Sequence, residues 1–189
     1  MSFDVFGAGF VNYLGEDRQY CTSDYVCEFR RPMGPGFAAG AGFSVGRFRI
    51  RTEWTTGPER SLTFTSVPYY RITENDRDSS FAALGGIRTG VPEGFNVVWL
   101  AGTAFVTHRN AGTTATSVTF LSQSSSTLSS SALAFAFGTD VSVPVTSRAA
   151  LVVPVRFTTR PDKLRDPFSK GLDVRVGAGL SLTLFRKPL

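Results

Sequence analysis

The sequence predicts an all-β protein, an eight-stranded antiparallel up-and-down transmembrane β-barrel, on three observations. The first is the stretch Leu172 to Phe185. There Leu172, Val174, Val176, Ala178, Leu180, Leu182 and Leu184 alternate with Asp173, Arg175, Gly177, Gly179, Ser181 and Thr183. Successive strand side chains point to opposite faces, so one face is wholly apolar and the other polar. The stretch far exceeds the about 5–6 residues of a common strand, and suits a wall between lipid and a polar interior. The second observation is a charged counter-face on other strands. The third is a rhythm of connections, long and polar after every odd strand and short after every even one, which is the layout of a small membrane barrel.

Taken in order, Phe3 to Leu14 (FDVFGAGFVNYL) is a first aromatic strand, and 15–36 is a long polar loop. Phe37 to Val45 is the second strand, with Phe37, Ala39, Ala41, Phe43 and Val45 on one side. After a tight Gly46-Arg47 turn, the third strand sends Phe48, Ile50, Thr52 and Trp54 out and Arg47, Arg49, Arg51 and Glu53 in. Four charges on one face would be ruinous in an apolar sandwich core. They are acceptable in a polar lumen where arginine meets carboxylate.

Residues 56–79 read as a second long polar segment, into which the strands can extend through SLTFTSV and YYRIT. Ser80–Thr89 is the fourth strand, and the turn at 90–94 is strongly punctuated by Gly and Pro. Phe95–His108 is the fifth, followed by a Ser/Thr-rich segment at 109–131. The sixth, Ala132–Val145, directs Phe135, Phe137, Val141 and Val143 outward and Ala134, Ala136, Gly138, Asp140 and Ser142 inward. A short turn leads to the seventh, Ala149–Arg160, with Leu151, Val153, Val155 and Phe157 out and Arg156, Thr158 and Arg160 in. The loop 161–171 precedes the eighth. The inward sets on the third, sixth, seventh and eighth strands hold only small or charged residues, the opposite of a soluble lipocalin-like barrel. An even strand number puts both termini at the short-turn end.

The composition agrees. The 189 residues include 17 Phe and 19 Gly, which favour aromatic surfaces and crowded strands over helices. The whole chain, 1–189, is expected to form one barrel domain, with 185–189 a short C-terminal tail. No apolar run approaches the about 18 residues of a membrane helix. No signal peptide precedes the first strand, so an exported protein of this sequence is expected to be a mature chain with an added Met. The net charge of +5 does not imply nucleic acid, because the arginines alternate with apolar residues and no basic run exceeds a pair. Cys21 and Cys27 fit a disulfide in an oxidising compartment, which closes a small loop and contributes on the order of 2–3 kcal/mol at best. Two cysteines and a lone distant histidine do not make a metal site, and no cofactor is expected.

The hairpin FGTDVSVPVTSRAALVVPVRF and the last strand resemble the small outer-membrane β-barrel proteins, the OmpA/OmpX-like membrane domain class. The assembly signal of that class matches RVGAGLSL through Arg175, Gly177, Leu180 and Leu182, followed by the aromatic Phe185. The chain departs from it by continuing as Arg-Lys-Pro-Leu. The resemblance implies a bacterial outer-membrane location, insertion by the assembly machinery, contact with outer-membrane lipids, periplasmic termini and four surface loops. A monomer is expected.

Two constellations bear on chemistry. Arg47, Arg49, Arg51, Arg88, Arg156 and Arg175, with Glu53, Asp140, Asp173 and Asp4, are inward candidates for a network that plugs a lumen only wide enough for side chains. His108, in Thr107-His-Arg-Asn-Ala-Gly, is similar to the lipid A deacylase motif of some eight-stranded barrels, but Asn110 stands where the nucleophilic serine belongs. Trp54, Trp99, Phe95, Tyr13 and Phe185 are girdle candidates. The function expected is non-enzymatic, structural or surface-interacting. A narrow anion-leaning channel and a lipid A-modifying hydrolase are the alternatives.

Overall fold

The computed structural model describes residues 1–14, 26–29, 33–66, 70–90, 94–116, 122–159 and 172–187. Its strands are β1 (Ser2–Leu14), β2 (Val26–Phe29), β3 (Met33–Val45), β4 (Phe48–Ser66), β5 (Tyr70–Gly90), β6 (Asn96–Thr116), β7 (Ser122–Pro144), β8 (Ala149–Thr159) and β9 (Leu172–Arg186). Each strand of the barrel pairs antiparallel with its neighbours in sequence, and β1 closes the ring by pairing with both β3 and β9. The result is a closed eight-stranded up-and-down barrel. The short β2 stands outside the ring count. It pairs with β4 along Leu62–Thr65, above the Phe48–Thr56 stretch that pairs with β3.

Closure sorts the alternating residues. Ile50, Phe81, Trp99, Phe105, Leu133 and Leu180 face outward and are exposed, whereas Arg51, Glu53, Leu84, Val98, Asp140 and Arg156 face inward and are buried. This inversion, apolar side chains outside and charge within, is what a lipid solvent selects. The interior is narrow enough to demand glycine. A Cβ on Gly40 would stand 2.1 Å from the Thr52 carbonyl oxygen and 2.5 Å from the Phe6 ring.

One end carries the tight connections. Gly46, at φ 58°, turns β3 into β4, a backbone region that glycine enters without steric cost. At the β7–β8 turn, Val145 N–H donates to the Ala149 carbonyl at 2.8 Å, and Thr146 Oγ1 accepts from Arg148 N–H and Ala149 N–H. The first and last described residues lie at this end, where Met1 and Lys187 exchange backbone hydrogen bonds of 2.7 and 2.8 Å.

Two expectations need correction. The polar segment 109–131 is not a long loop. β6 runs to Thr116 and β7 begins at Ser122, paired without interruption. The open question at 56–79 resolves the same way, with β4 reaching Ser66 and β5 starting at Tyr70. Serine and threonine satisfy a β-ladder through the backbone whatever their side chains face, so the ladder outlasts the amphipathic pattern. The interior is also less polar than expected. Phe6 and Phe10 of β1, Leu84 of β5, Val98 and Leu100 of β6 and Val152 of β8 point inward and are buried.

The charged lumen as candidate functional site

Alternation along β4 brings Arg49, Arg51 and Glu53 to the interior, and closure brings Asp4 of β1, Asp140 of β7, Arg156 of β8 and Arg175 of β9 to meet them. In the ring order β4 and β8 are diametrically opposed, so their contacts cross the lumen. The side chains stack in tiers. Nearest the short-turn end, Arg49 bonds Asp4 through a direct ion pair, and Ser181 Oγ donates to the same carboxylate at 3.2 Å.

The next tier is a quartet. Arg51 donates to Asp140 and lies 3.6 Å from Glu53. Arg156 reaches Glu53 at 2.8 Å and Asp140 at 2.7 Å. Two guanidinium groups and two carboxylates thus form a closed, charge-balanced ring, each group at most 4% exposed. Burying such charges is costly unless they are paired and hydrogen-bonded. Arg156 adds bonds to the Thr139 and Val155 carbonyls at 3.1 Å. The Arg51 guanidinium sits 3.3 Å over the Phe6 ring, an attraction to the aromatic face that strengthens away from water.

A third tier gathers around Arg175. It donates to Thr55 Oγ1 at 2.6 Å and Thr158 Oγ1 at 2.7 Å, and pairs with Asp173 at 3.2 Å. Farther from the short turns, His108 Nδ1 meets Asp78 Oδ1 at 2.7 Å, with both side chains partly exposed. Ser130 stands opposite His108 in the β6–β7 register.

The remaining residues named from the sequence fall elsewhere. Arg47 does not enter the lumen. It is exposed in the Gly46-Arg47 turn, because β4 begins at Phe48 and the reversal breaks the alternation before reaching it. Arg88 is half-buried at the mouth, donating to the Gly46 carbonyl at 2.8 Å. Leu180 and Leu182 are outward and about half exposed. Gly177 faces in, where a Cβ would stand 2.6 Å from the Gly9 carbonyl oxygen. Phe185, inward by strict alternation, is exposed together with Leu184. The β1–β9 register shifts between Phe3 and Asp4, and the extra residue of such a bulge flips the strand end outward. Cys21, Arg160 and the side chains of Tyr13 and Cys27 lie outside the described residues. Among the described residues no three His, Cys, Asp or Glu side chains converge as a metal site.

Phe6 and Phe10 are among the lumen residues that the sequence does not assign to a face. The aromatic residues on both sides of the first strand leave its facing open in the sequence, although Asp4, Phe6, Phe10 and Asn12 share a parity and Asp4 marks it as inward.

No protein-family model and no curated protein sequence matches the chain. Among solved structures, the chain is similar to the attachment invasion locus protein Ail of Yersinia pestis, at TM-score 0.54 and 11% identity over 97% of this chain and 99% of that one. Ail in complex with the heparin analogue sucrose octasulfate aligns at TM-score 0.52 and 10% identity, over 97% of this chain and 99% of that one. A major outer membrane protein of Thermus thermophilus aligns at TM-score 0.51 and 11% identity, over 96% and 99% of the two chains. At such identities the likeness establishes a shared fold, that of small outer-membrane β-barrels.

Proposed function

We propose that this chain is an integral barrel of a bacterial outer membrane, with periplasmic termini and a non-enzymatic, structural or surface-interacting role. One observation carries the reading. β4, β5, β6 and β7 are 19, 21, 21 and 23 residues long. At about 3.3 Å per residue these strands overrun the roughly 25 Å apolar band of a membrane barrel, all on the side away from the termini. The barrel is thereby an anchor for a raised polar sheet. Ail is named for attachment and invasion, which agrees with a surface role at the level of fold analogy.

Under this reading the quartet of Arg51, Glu53, Asp140 and Arg156 plugs the lumen, and the protein conducts no ions. Arg175, Gly177, Leu180, Leu182 and Phe185 serve assembly, the partners being the assembly machinery and outer-membrane lipids around a monomer. Protease treatment of intact cells tests the topology. Cleavage within 56–79 or 109–131, with an epitope at either terminus protected, is expected. Protected strands with cleaved termini would reverse the orientation. Planar-bilayer recording tests the plug: no openings above baseline are expected, and steady unit conductance would favour the channel.

A second reading, hydrolysis of lipid A acyl esters, draws on the Asp78–His108 pair with Ser130 alongside, because a carboxylate-oriented imidazole is what a serine nucleophile needs. Mass spectrometry of lipid A decides it. An acyl pattern changed by the wild type but not by His108→Ala would establish it, and an unchanged pattern with both would remove it.

A further inference from the structure

We propose that the mouth of the barrel at the short-turn end is a binding site for a small phosphate-bearing anion. The charge of the molecule is unevenly resolved along its axis. Within the lumen each arginine meets a carboxylate: Arg51 and Arg156 share Glu53 and Asp140, Arg175 pairs with Asp173, and Arg49 pairs with Asp4. At the mouth the described arginines outnumber the described carboxylates. Arg88, Arg148 and Arg186 line a cavity of about 410 Å³ together with Arg49 and Arg51. The carboxylates lining it, Asp4 and Asp140, are already engaged by Arg49, Arg51 and Arg156. A second hollow of about 440 Å³ shares Arg88 and Arg186 with the first and adds Arg47 and Lys187.

Arg88 shows the excess most clearly. Its hydrogen bond goes to a neutral carbonyl, that of Gly46, and among the described residues its charged neighbours are Arg49 and Arg186, with Asp4 opposing them. Two donors deeper in the wall point the same way. Arg49 Nε and Arg51 Nη2 are buried and have no hydrogen-bond acceptor among the described residues, and both side chains line the cavity. Buried donors without acceptors are rare and costly.

The chemistry of the wall selects the ligand class. Several guanidinium forks around one space match the oxygens of phosphate, which arginine binds in bidentate fashion. A concave site of one sign with low-dielectric walls concentrates the field. Its floor is the charge-balanced quartet, so an anion can enter and stop there. The site holds its ligand without passing it.

The test is calorimetric titration of inorganic pyrophosphate into the folded protein in dodecyl maltoside at low salt. Saturable binding is expected, weakening as salt rises. In the R88Q/R148Q double variant the affinity should drop by about tenfold or more, the size expected for losing two charge-assisted contacts. R77Q, which removes an exposed charge from the opposite end, should bind like the wild type. Arg148 lies in an exposed turn, so R148Q alone remains available if the double variant does not fold, with a loss of about three- to fivefold expected. Nanodiscs identify the source of the phosphate. Weaker pyrophosphate binding in nanodiscs containing phosphatidylglycerol than in pure phosphatidylcholine would assign the site to an anionic lipid headgroup. Equal binding in the two would assign it to a soluble phosphate compound. Absence of saturable binding in both detergent and phosphatidylcholine nanodiscs, or wild-type affinity in both Arg148 variants, would overturn the proposal.

Discussion

β7 contains two regions made of the same ladder in different solvents. From Ala132 to Asp140 its residues alternate between outward Leu133, Phe135 and Phe137 and buried Ala134, Ala136, Gly138 and Asp140. From Ser125 to Ser131 every residue is exposed, and the alternation vanishes. Backbone pairing to β6 continues unchanged through both. The ladder therefore does not need an amphipathic pattern. The pattern records a contrast between two environments, lipid outside and a filled lumen within, and it stops where that contrast stops.

The largest effect should come from breaking the contrast at its interior pole. Glu53→Ala leaves Arg51 and Arg156 facing each other with Asp140 as their shared partner. Removing one member of a buried ion network costs about 3–5 kcal/mol, to be read from urea unfolding in lipid vesicles. A much smaller loss would mean that water reaches the quartet and that the lumen is wetter than described.

The outer pole comes next. Leu180→Arg should cost about 2–4 kcal/mol if it sits near the bilayer midplane. Leu182→Arg should cost less, since Leu182 pairs with Ala149 at the β7–β8 turn and lies closer to the interface. Lipid-vesicle folding titrations of the two variants give the order. Equal or negligible losses would contradict the assigned facing.

The smallest effects belong to residues outside both poles. Arg47→Ala, in an exposed turn, and Ser129→Ala, in the raised sheet, should each stay within about ±0.5 kcal/mol in the same titration. A large loss for Arg47→Ala would return that residue to the lumen network.

The same contrast explains what could be read from the sequence. The barrel, its strand order and its termini follow from segments such as Phe48–Trp54 and Leu172–Leu184, where lipid and lumen impose opposite chemistry on alternate residues. Arg49, Arg51, Glu53, Asp140, Arg156 and Arg175 could be assigned a face for that reason, because an isolated charge on a lipid-facing position is expensive. The polar ends of β6 and β7 read as loop because nothing in a Ser/Thr run distinguishes a solvated strand from a solvated coil. Alternation cannot be carried around a turn, so it misplaces Arg47, and a bulge carries no sequence mark, so parity alone would turn Phe185 inward where its aromatic girdle candidacy has it outward. Which carboxylate each arginine meets was not legible either, since Arg51 and Asp140 are joined only by closure of the ring.

The central claim is that the outer face of this barrel meets lipid. The chain has two tryptophans, Trp54 and Trp99, both outward and 46% and 59% exposed. Tryptophan fluorescence of the wild-type protein in vesicles of brominated phosphatidylcholine tests the claim with no substitution. Strong quenching by the brominated chains with little quenching by aqueous iodide is expected. Quenching by iodide with no effect of the brominated chains would contradict it.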